Sequence, residues 1–430
     1  MKSNKIIRII ICAVMTMSCI LLAGCTEERK TSLQLAPDGI VGAAGADAQA
    51  GTPGDAGRNS ENADQAGNVQ EAADQQNDNA APAPNPAETL NPEQQDETAD
   101  SPAPAKPAAK YTSADYEAAG VNELNSVPIL MYHRIYNLTN DETDYTGGNV
   151  DADGYNRTYE AFAADLQMYY DMGYRCMRLS DYVDGYIDVP FGYAPVILTF
   201  DDGIRDVVVE GYEDDGTPIF DPTCAIGVLE NFKKSHPDFN TTATFFVNSF
   251  LFEEIETKEE NGRVMNWMID NGYDIGNHTM DHPLLEDCTQ DEIIYEVGGV
   301  YKILDEIIPG RYVNIVALPF GSPTSMEGDS KYDSIFSGTY EGTNYTSRAA
   351  LLCGWTRAYS PFVTEWDITC IRRIRGYDNN GEDFDIEFNF EQLNAGKRYI
   401  SDGDPDTVVI RADEEEDWLA DTRGKQVIRY

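Results

Sequence analysis

The stretch Val196-Ile197-Leu198-Thr199-Phe200-Asp201-Asp202-Gly203 decides how this chain is read. Its first five residues are apolar or β-forming, the composition of a buried strand. The strand then ends on two adjacent carboxylates and a glycine. Charge at the mouth of a buried strand is costly unless something uses it. In α/β folds the carboxyl ends of strands are where ligands and catalytic groups gather. The other metal-ligand candidates of comparable quality are His278 and His282, four residues apart in Asn277-His278-Thr279-Met280-Asp281-His282. Two imidazoles and one carboxylate suit zinc, or another divalent transition metal, with one position left for water. With Asp202 as ligand, Asp201 is free to act as base, and the chemistry expected is metal-assisted hydrolysis.

On either side of this stretch the pattern alternates. The apolar run Val127 to Tyr132 reads as a strand with His133 at its carboxyl end. Thr158 caps a helix whose stripe is Phe162, Leu166, Tyr169 and Tyr170. Further strands are expected at 242–247, 273–276 and 313–318, with strand-like pieces at 350–353, 367–374 and 407–410. Helices are expected at 225–234, 264–271 and 291–308. Strands alternating with helices over this length predict βαβ units and a mostly parallel sheet. The expected fold is α/β, an irregular (β/α) barrel. The acidic stretch Glu210 to Gly216 is expected to be a loop inserted beside the site. No role attaches to Asp402–Tyr430.

The first 118 residues read differently. Two lysines and Arg8 precede and flank an apolar core, and Leu22-Ala23-Gly24 leads into Cys25. This segment, 1–25, resembles a bacterial lipoprotein signal. It implies cleavage before Cys25, a lipid on its thiol, and a protein held at the outer face of the cell membrane through that anchor alone. Residues 26–118 are rich in Ala, Asp, Gln and Pro and poor in aromatics, so they cannot bury enough surface to fold and read as a disordered linker. That leaves 119–430 as the catalytic domain. The net charge is -44, from 75 acidic and 31 basic residues, which argues against nucleic acid as a partner. Five cysteines remain beyond Cys25 without a CxxC pair, so no zinc ribbon is expected; they are read as isolated thiols.

The motif Thr199-Phe200-Asp201-Asp202-Gly203 followed by His278-Thr279-Met280-Asp281-His282 resembles the first two motifs of the polysaccharide deacetylases, carbohydrate esterase family 4. The strand Ala243-Thr244-Phe245-Phe246-Val247 between them is similar to that family's as well. The resemblance implies Asp202, His278 and His282 as ligands of a divalent metal such as zinc, and Asp201 as general base. Thr279 would hold the histidine segment. Leu318-Pro319-Phe320-Gly321 resembles the third motif, with the Phe320 N–H at the oxyanion, and Trp355 is the candidate for stacking on a sugar. Three departures stand out: Ala317 replaces the arginine that pairs with the base, no histidine follows His282, and the family's aspartate-tryptophan motif is not clean, with Trp355 and Trp366 the tryptophans near it. The strand ending in His133 resembles a circularly permuted branch related to poly-N-acetylglucosamine deacetylases, which makes His133 the expected general acid. Arg373 is the stand-in for the lost arginine, with Arg372 and Arg375 expected to face away. The substrate implied is an acetylated polysaccharide, peptidoglycan or an exopolysaccharide. An O-acetyl esterase and a catalytically inactive glycan-binding lipoprotein are the alternatives, the second favoured by Ala317. Each residue also has a plain structural reading: a solvated acid pair, surface histidines, a core His133 or Trp355, a structural ion pair at Arg373.

Overall fold

A computed structural model describes residues 110–430 apart from position 383. The expected signal segment with Cys25 and the expected linker up to residue 109 lie outside the described residues. The folded chain begins before residue 119. Helix α1 (Ser113–Ala119) opens on Thr112, whose side chain and backbone exchange hydrogen bonds with Asp115, and closes on Gly120 at φ 69°. Tyr116 is buried, with its ring 5.6 Å from that of Tyr430. The linker boundary expected at 118 therefore moves ahead of Thr112. One aromatic anchor in a stretch of small residues is enough to dock a helix, and a composition average hides it.

The barrel strands are β1 (Ile129–Tyr132), β2 (Tyr174–Cys176), β3 (Ala194–Phe200), β4 (Thr244–Val247), β5 (Asp274–Asn277), β6 (Ile315–Ala317), β7 (Ala349–Leu351) and β8 (Ile374–Arg375). They run in the order β7-β6-β5-β4-β3-β1-β8, with β2 against the first half of β3. Every pairing among them is parallel. A parallel bridge between Leu351 and Ile371 ties the segment entering β8 to β7 and closes the ring. This is an irregular (β/α) barrel, as expected. Strands β1, β3 and β4 are buried along their whole length, which explains why they read as continuous apolar runs rather than alternating ones. Phe200 and Phe245 stack at 4.9 Å in the core. Helices α2 (Tyr159–Asp171), α3 (Ala225–Ser235), α4 (Lys258–Asp270) and α5 (Gln290–Ile307) make the crossovers.

Three segments differ from expectation. The acidic stretch after β3 is a hairpin, Val209–Tyr212 against Pro218–Phe220, turned at Gly216 with φ 89°. Residues 367–370 are a turn, because the Asp367 carboxylate accepts from the N–H and hydroxyl of Thr369. The C-terminal part folds onto the domain: β9 (Thr407–Ile410) pairs in parallel with β10 (Gln426–Arg429). The buried Glu123 carboxylate accepts the N–H groups of Val409 at 2.7 Å and Asp402 at 3.2 Å, latching that segment to the start of the barrel. All five described cysteines are free thiols.

Candidate active site

Strand β3 delivers its two carboxylates into different environments. Asp201 continues the register with β1, its N–H donating to Tyr132 O at 3.0 Å, and its side chain has no exposed surface. Arg373, also without exposed surface, grips it with two parallel bonds, Nη1 to Oδ1 at 2.8 Å and Nη2 to Oδ2 at 2.7 Å. Arg373 Nη1 also donates to Thr199 Oγ1 at 3.1 Å and Nε to Leu352 O at 2.8 Å. Its planar fork is thereby fixed on all sides. Burial pushes the Asp201 carboxyl up, but the Arg373 guanidinium and the His278 imidazole override this and hold it below the usual carboxylate range.

Asp202 turns away from the strand at φ 81°, followed by Gly203 at φ 73°. A Cβ on Gly203 would lie 2.0 Å from Leu251 O. Both backbone sign and space demand glycine there. Gly203→Ala is expected to lower stability by about 1–3 kcal/mol, read as a lower thermal midpoint.

The histidine segment leaves β5 as a second strained turn. His278 N–H donates to Val247 O at 2.9 Å, continuing the sheet. Its Nδ1 lies 2.9 Å from Ala317 O, so a proton on Nδ1 donates to that carbonyl and leaves the Nε2 lone pair facing the cavity. Thr279 and His282 take positive φ, 67° and 55°. Asn277 Oδ1 accepts the Thr279 N–H at 2.9 Å, and Glu296 on α5 accepts the Asp281 N–H at 2.9 Å. Thr279 is thus held through its backbone N–H by Asn277, and Glu296 holds the segment two residues later through the Asp281 N–H. With Phe320 at φ 57°, four non-glycine residues of one site sit in the left-handed region. Such positions cost roughly 1–3 kcal/mol each and gather at functional sites.

His278 Nε2 approaches Asp202 Oδ1 to 3.3 Å and His282 Nε2 approaches it to 3.6 Å. The three ligand atoms lie within 4.8 Å of one another. His278 Nε2 is buried yet makes no hydrogen bond. A buried acceptor aimed at a second imidazole and a carboxylate is what a divalent ion would satisfy, so these residues fit such an ion. Burial and the neighbouring His278 push the His282 imidazole down to about 4. Burial likewise disfavours charge on His278, but Asp201 and Asp202 outweigh it and raise its pKa.

The remaining predicted residues ring this centre. His133 directly follows β1, half-buried, with its Nδ1 buried and unpartnered and its ring edge-on to Tyr155 at 5.0 Å. Burial lowers its pKa against the opposing pull of the Asp202 and Asp201 charges, which place it in the field of the same site. The Phe320 ring meets His282 edge-on at 4.6 Å and is 40% exposed. Trp355 is 57% exposed, in the loop after β7. Arg372 is exposed, but Arg375 turns in among aromatic rings rather than away. Two residues along a strand return to the same face, so it follows Arg373. Tyr155, Asn277 and Glu296 were not anticipated. An asparagine directly before His278 and a carboxylate inside the apolar stripe of α5 were the available signals; Tyr155 carried none.

One further regularity surrounds the centre. The loop leaving the carboxyl end of each of seven strands carries one exposed large apolar side chain: Tyr145 after β1, Ile219 after β3, Phe250 after β4, Leu284 after β5, then Phe320, Trp355 and Phe384 after β6, β7 and β8.

Residues 189–329 match the family model of polysaccharide deacetylase. A stretch of 51 residues, 12% of this chain, is 37% identical to the chitooligosaccharide deacetylase of Azorhizobium caulinodans and spans 24% of that protein's length. Among solved structures, similarity extends to the deacetylase PplD of Streptococcus pyogenes in complex with acetate (20% identity, 62% of this chain and 97% of that one, TM-score 0.41). It also extends to a de-N-acetylase from Aggregatibacter actinomycetemcomitans (13% identity, 63% and 100%, TM-score 0.38).

Proposed function

We propose that this chain, whose residues 189–329 match the polysaccharide deacetylase model, is a metal-dependent hydrolase that removes acetyl groups from N-acetylated sugars of a cell-wall or extracellular polysaccharide. The observation that carries the reading is the buried Asp201–Arg373 pair beside the open cluster of Asp202, His278 and His282. A carboxylate kept ionised next to a three-ligand centre is the requirement for activating water against an amide carbonyl.

A divalent ion such as zinc held by Asp202, His278 and His282 would supply Lewis acidity and make water easier to ionise. Asp201 takes the proton of the attacking water, and Arg373 keeps it charged and aimed. The Phe320 N–H contributes to holding the oxyanion. His133 hands a proton to the leaving amine, and Trp355 offers a face for a sugar ring. The supply of the acid from the first strand, which lies between β3 and β8, is compatible with a circularly permuted relative of the poly-N-acetylglucosamine deacetylases. Ala317 no longer favours an inactive glycan-binding protein, because an arginine reaches Asp201 from another strand. The ring of exposed apolar side chains fits a polymer lying across the barrel mouth. A lipid anchor at Cys25 and the linker would hold the domain outside the cell membrane, near such a polymer.

The test is acetate release from N-acetylglucosamine oligomers and from O-acetylated xylan, with and without added divalent metal. Metal-dependent release from the first supports the reading; release from neither refutes it. His133→Ala is expected to slow release from the amide by about 10²–10⁴-fold. The loss on the ester should be smaller, because an alkoxide leaves with less help than an amine. Equal and minor losses on both would remove His133 from the acid role.

A further inference from the structure

Arg375, the last residue of β8, sits at the carboxyl mouth of the barrel and is half-buried. Three aromatic rings frame it. Its guanidinium carbon lies 4.0 Å from the ring centroid of Tyr377, 5.1 Å from that of Tyr155 and 5.3 Å from that of Trp355. Nη1 donates to Asp153 O at 2.5 Å, while Nε is buried and makes no hydrogen bond. Among the described residues no carboxylate forms an ion pair with it. That is unexpected in a chain with 75 acidic side chains, and Arg373, two residues earlier, takes a carboxylate in both arms. Tyr155 also touches His133, so the caged guanidinium adjoins the centre described above.

A guanidinium oriented by flanking rings, with part of its fork unused, is built to receive a planar or tetrahedral oxyanion. The neighbouring Trp355, mostly exposed, supplies an apolar plane of the kind that pyranose rings lie on. We propose that Arg375, with Tyr155 and Trp355, forms a subsite for an anionic substituent, a carboxylate or a phosphodiester, on the sugar next to the one that loses its acetyl group. This rests on the deacetylase reading for its location and adds the substrate's charge. The net charge of -44 does not oppose it at contact, since exposed charges beyond about 8 Å are screened at physiological ionic strength.

The experiment measures binding rather than turnover, so it stands apart from the deacetylase reading. The full chain is titrated with three N-acetylglucosamine-containing oligosaccharides of equal length: neutral, carrying a uronic acid, and carrying a phosphodiester. Calorimetry reads the affinity. At least one anionic ligand is expected to bind about 10–100-fold tighter than the neutral one, and the arm that does so identifies the substituent. Arg375→Met is expected to erase that ratio and Arg375→Lys to keep part of it, because the charge remains while the fork is lost. Equal affinity for all three ligands in the unaltered chain overturns the proposal, and so does a preference that survives Arg375→Met. Should Arg375→Met fail to fold, the comparison in the unaltered chain decides alone, since its salt dependence distinguishes ionic recognition from stacking. Absence of acetate release with the preference intact would refute the deacetylase reading and leave the subsite standing.

Discussion

Asp201→Asn is expected to abolish acetate release, by about 10²–10⁴-fold or more, and also to destabilise the protein by about 3–5 kcal/mol. The two effects have one cause. Arg373 has no exposed surface, and Asp201 is its carboxylate partner. An asparagine matches the aspartate in shape but leaves a buried guanidinium without compensation. A second variant separates the contributions. Asp201→Asn combined with Arg373→Met should recover most of the lost stability, because replacing a buried pair by apolar side chains is often neutral or stabilising. It should recover none of the activity, because the base is still missing. Thermal melts and acetate assays on the three proteins read both. A double variant as unstable as the single one would mean that the pair is needed for folding rather than for keeping Asp201 ionised. The pH dependence has a definite sign. The folded-state pKa of Asp201 lies below its unfolded value, so its contribution to stability is complete above about pH 4. It is lost as the pH falls through the depressed native value.

The two halves of this pair were not equally legible in the sequence. Asp201 and Asp202 end a run of apolar residues, and a signal within eight consecutive positions needs no tertiary knowledge. His278 and His282 were visible for the same reason, helped by the chain having only four histidines. Arg373 lies 172 residues from Asp201, among three arginines within four positions, and only the closure of β8 against β1 and β7 selects it. Arg375 was misread because the alternation of a strand was applied one residue out of phase. The barrel itself was legible since its buried parallel strands are apolar throughout. The turn at 367–370 was not, because an aspartate capping its own loop overrides the β-propensity of the residues after it. Helix α1 escaped because its docking depends on Phe191 and Tyr430, the second of them at the far end of the chain. Of the strained turns at Asp202, Thr279, His282 and Phe320, those at Thr279 and Phe320 left no trace in residue type, since aspartate and histidine tolerate the left-handed region better than either. Their backbone is imposed by the loops around them, not by local preference.

The second large effect is expected for His278→Ala. The substitution should eliminate divalent metal binding at the centre and lower acetate release by several powers of ten, without unfolding the domain. The barrel core does not depend on the metal, unlike small domains that fold only around one. Removing metal from the unaltered chain with a chelator should likewise silence it, and restoring the ion should bring activity back. Saturating metal should raise stability by about 2.7 kcal/mol at a free concentration one hundred times the dissociation constant, read as a higher thermal midpoint, and His278→Ala should remove that gain. Affinity should also weaken in acid. Asp201 and Asp202 raise the pKa of His278, so in the metal-free chain a proton competes for Nε2 already somewhat above pH 6.5. Below that raised value the apparent affinity should fall by up to tenfold per pH unit for each proton displaced. Calorimetry in buffers of different ionisation enthalpy reads the proton release directly. Metal that binds with equal affinity at pH 5 and pH 8, or that still stabilises His278→Ala, would mean that the ion sits elsewhere and that Asp202, His278 and His282 are only neighbours.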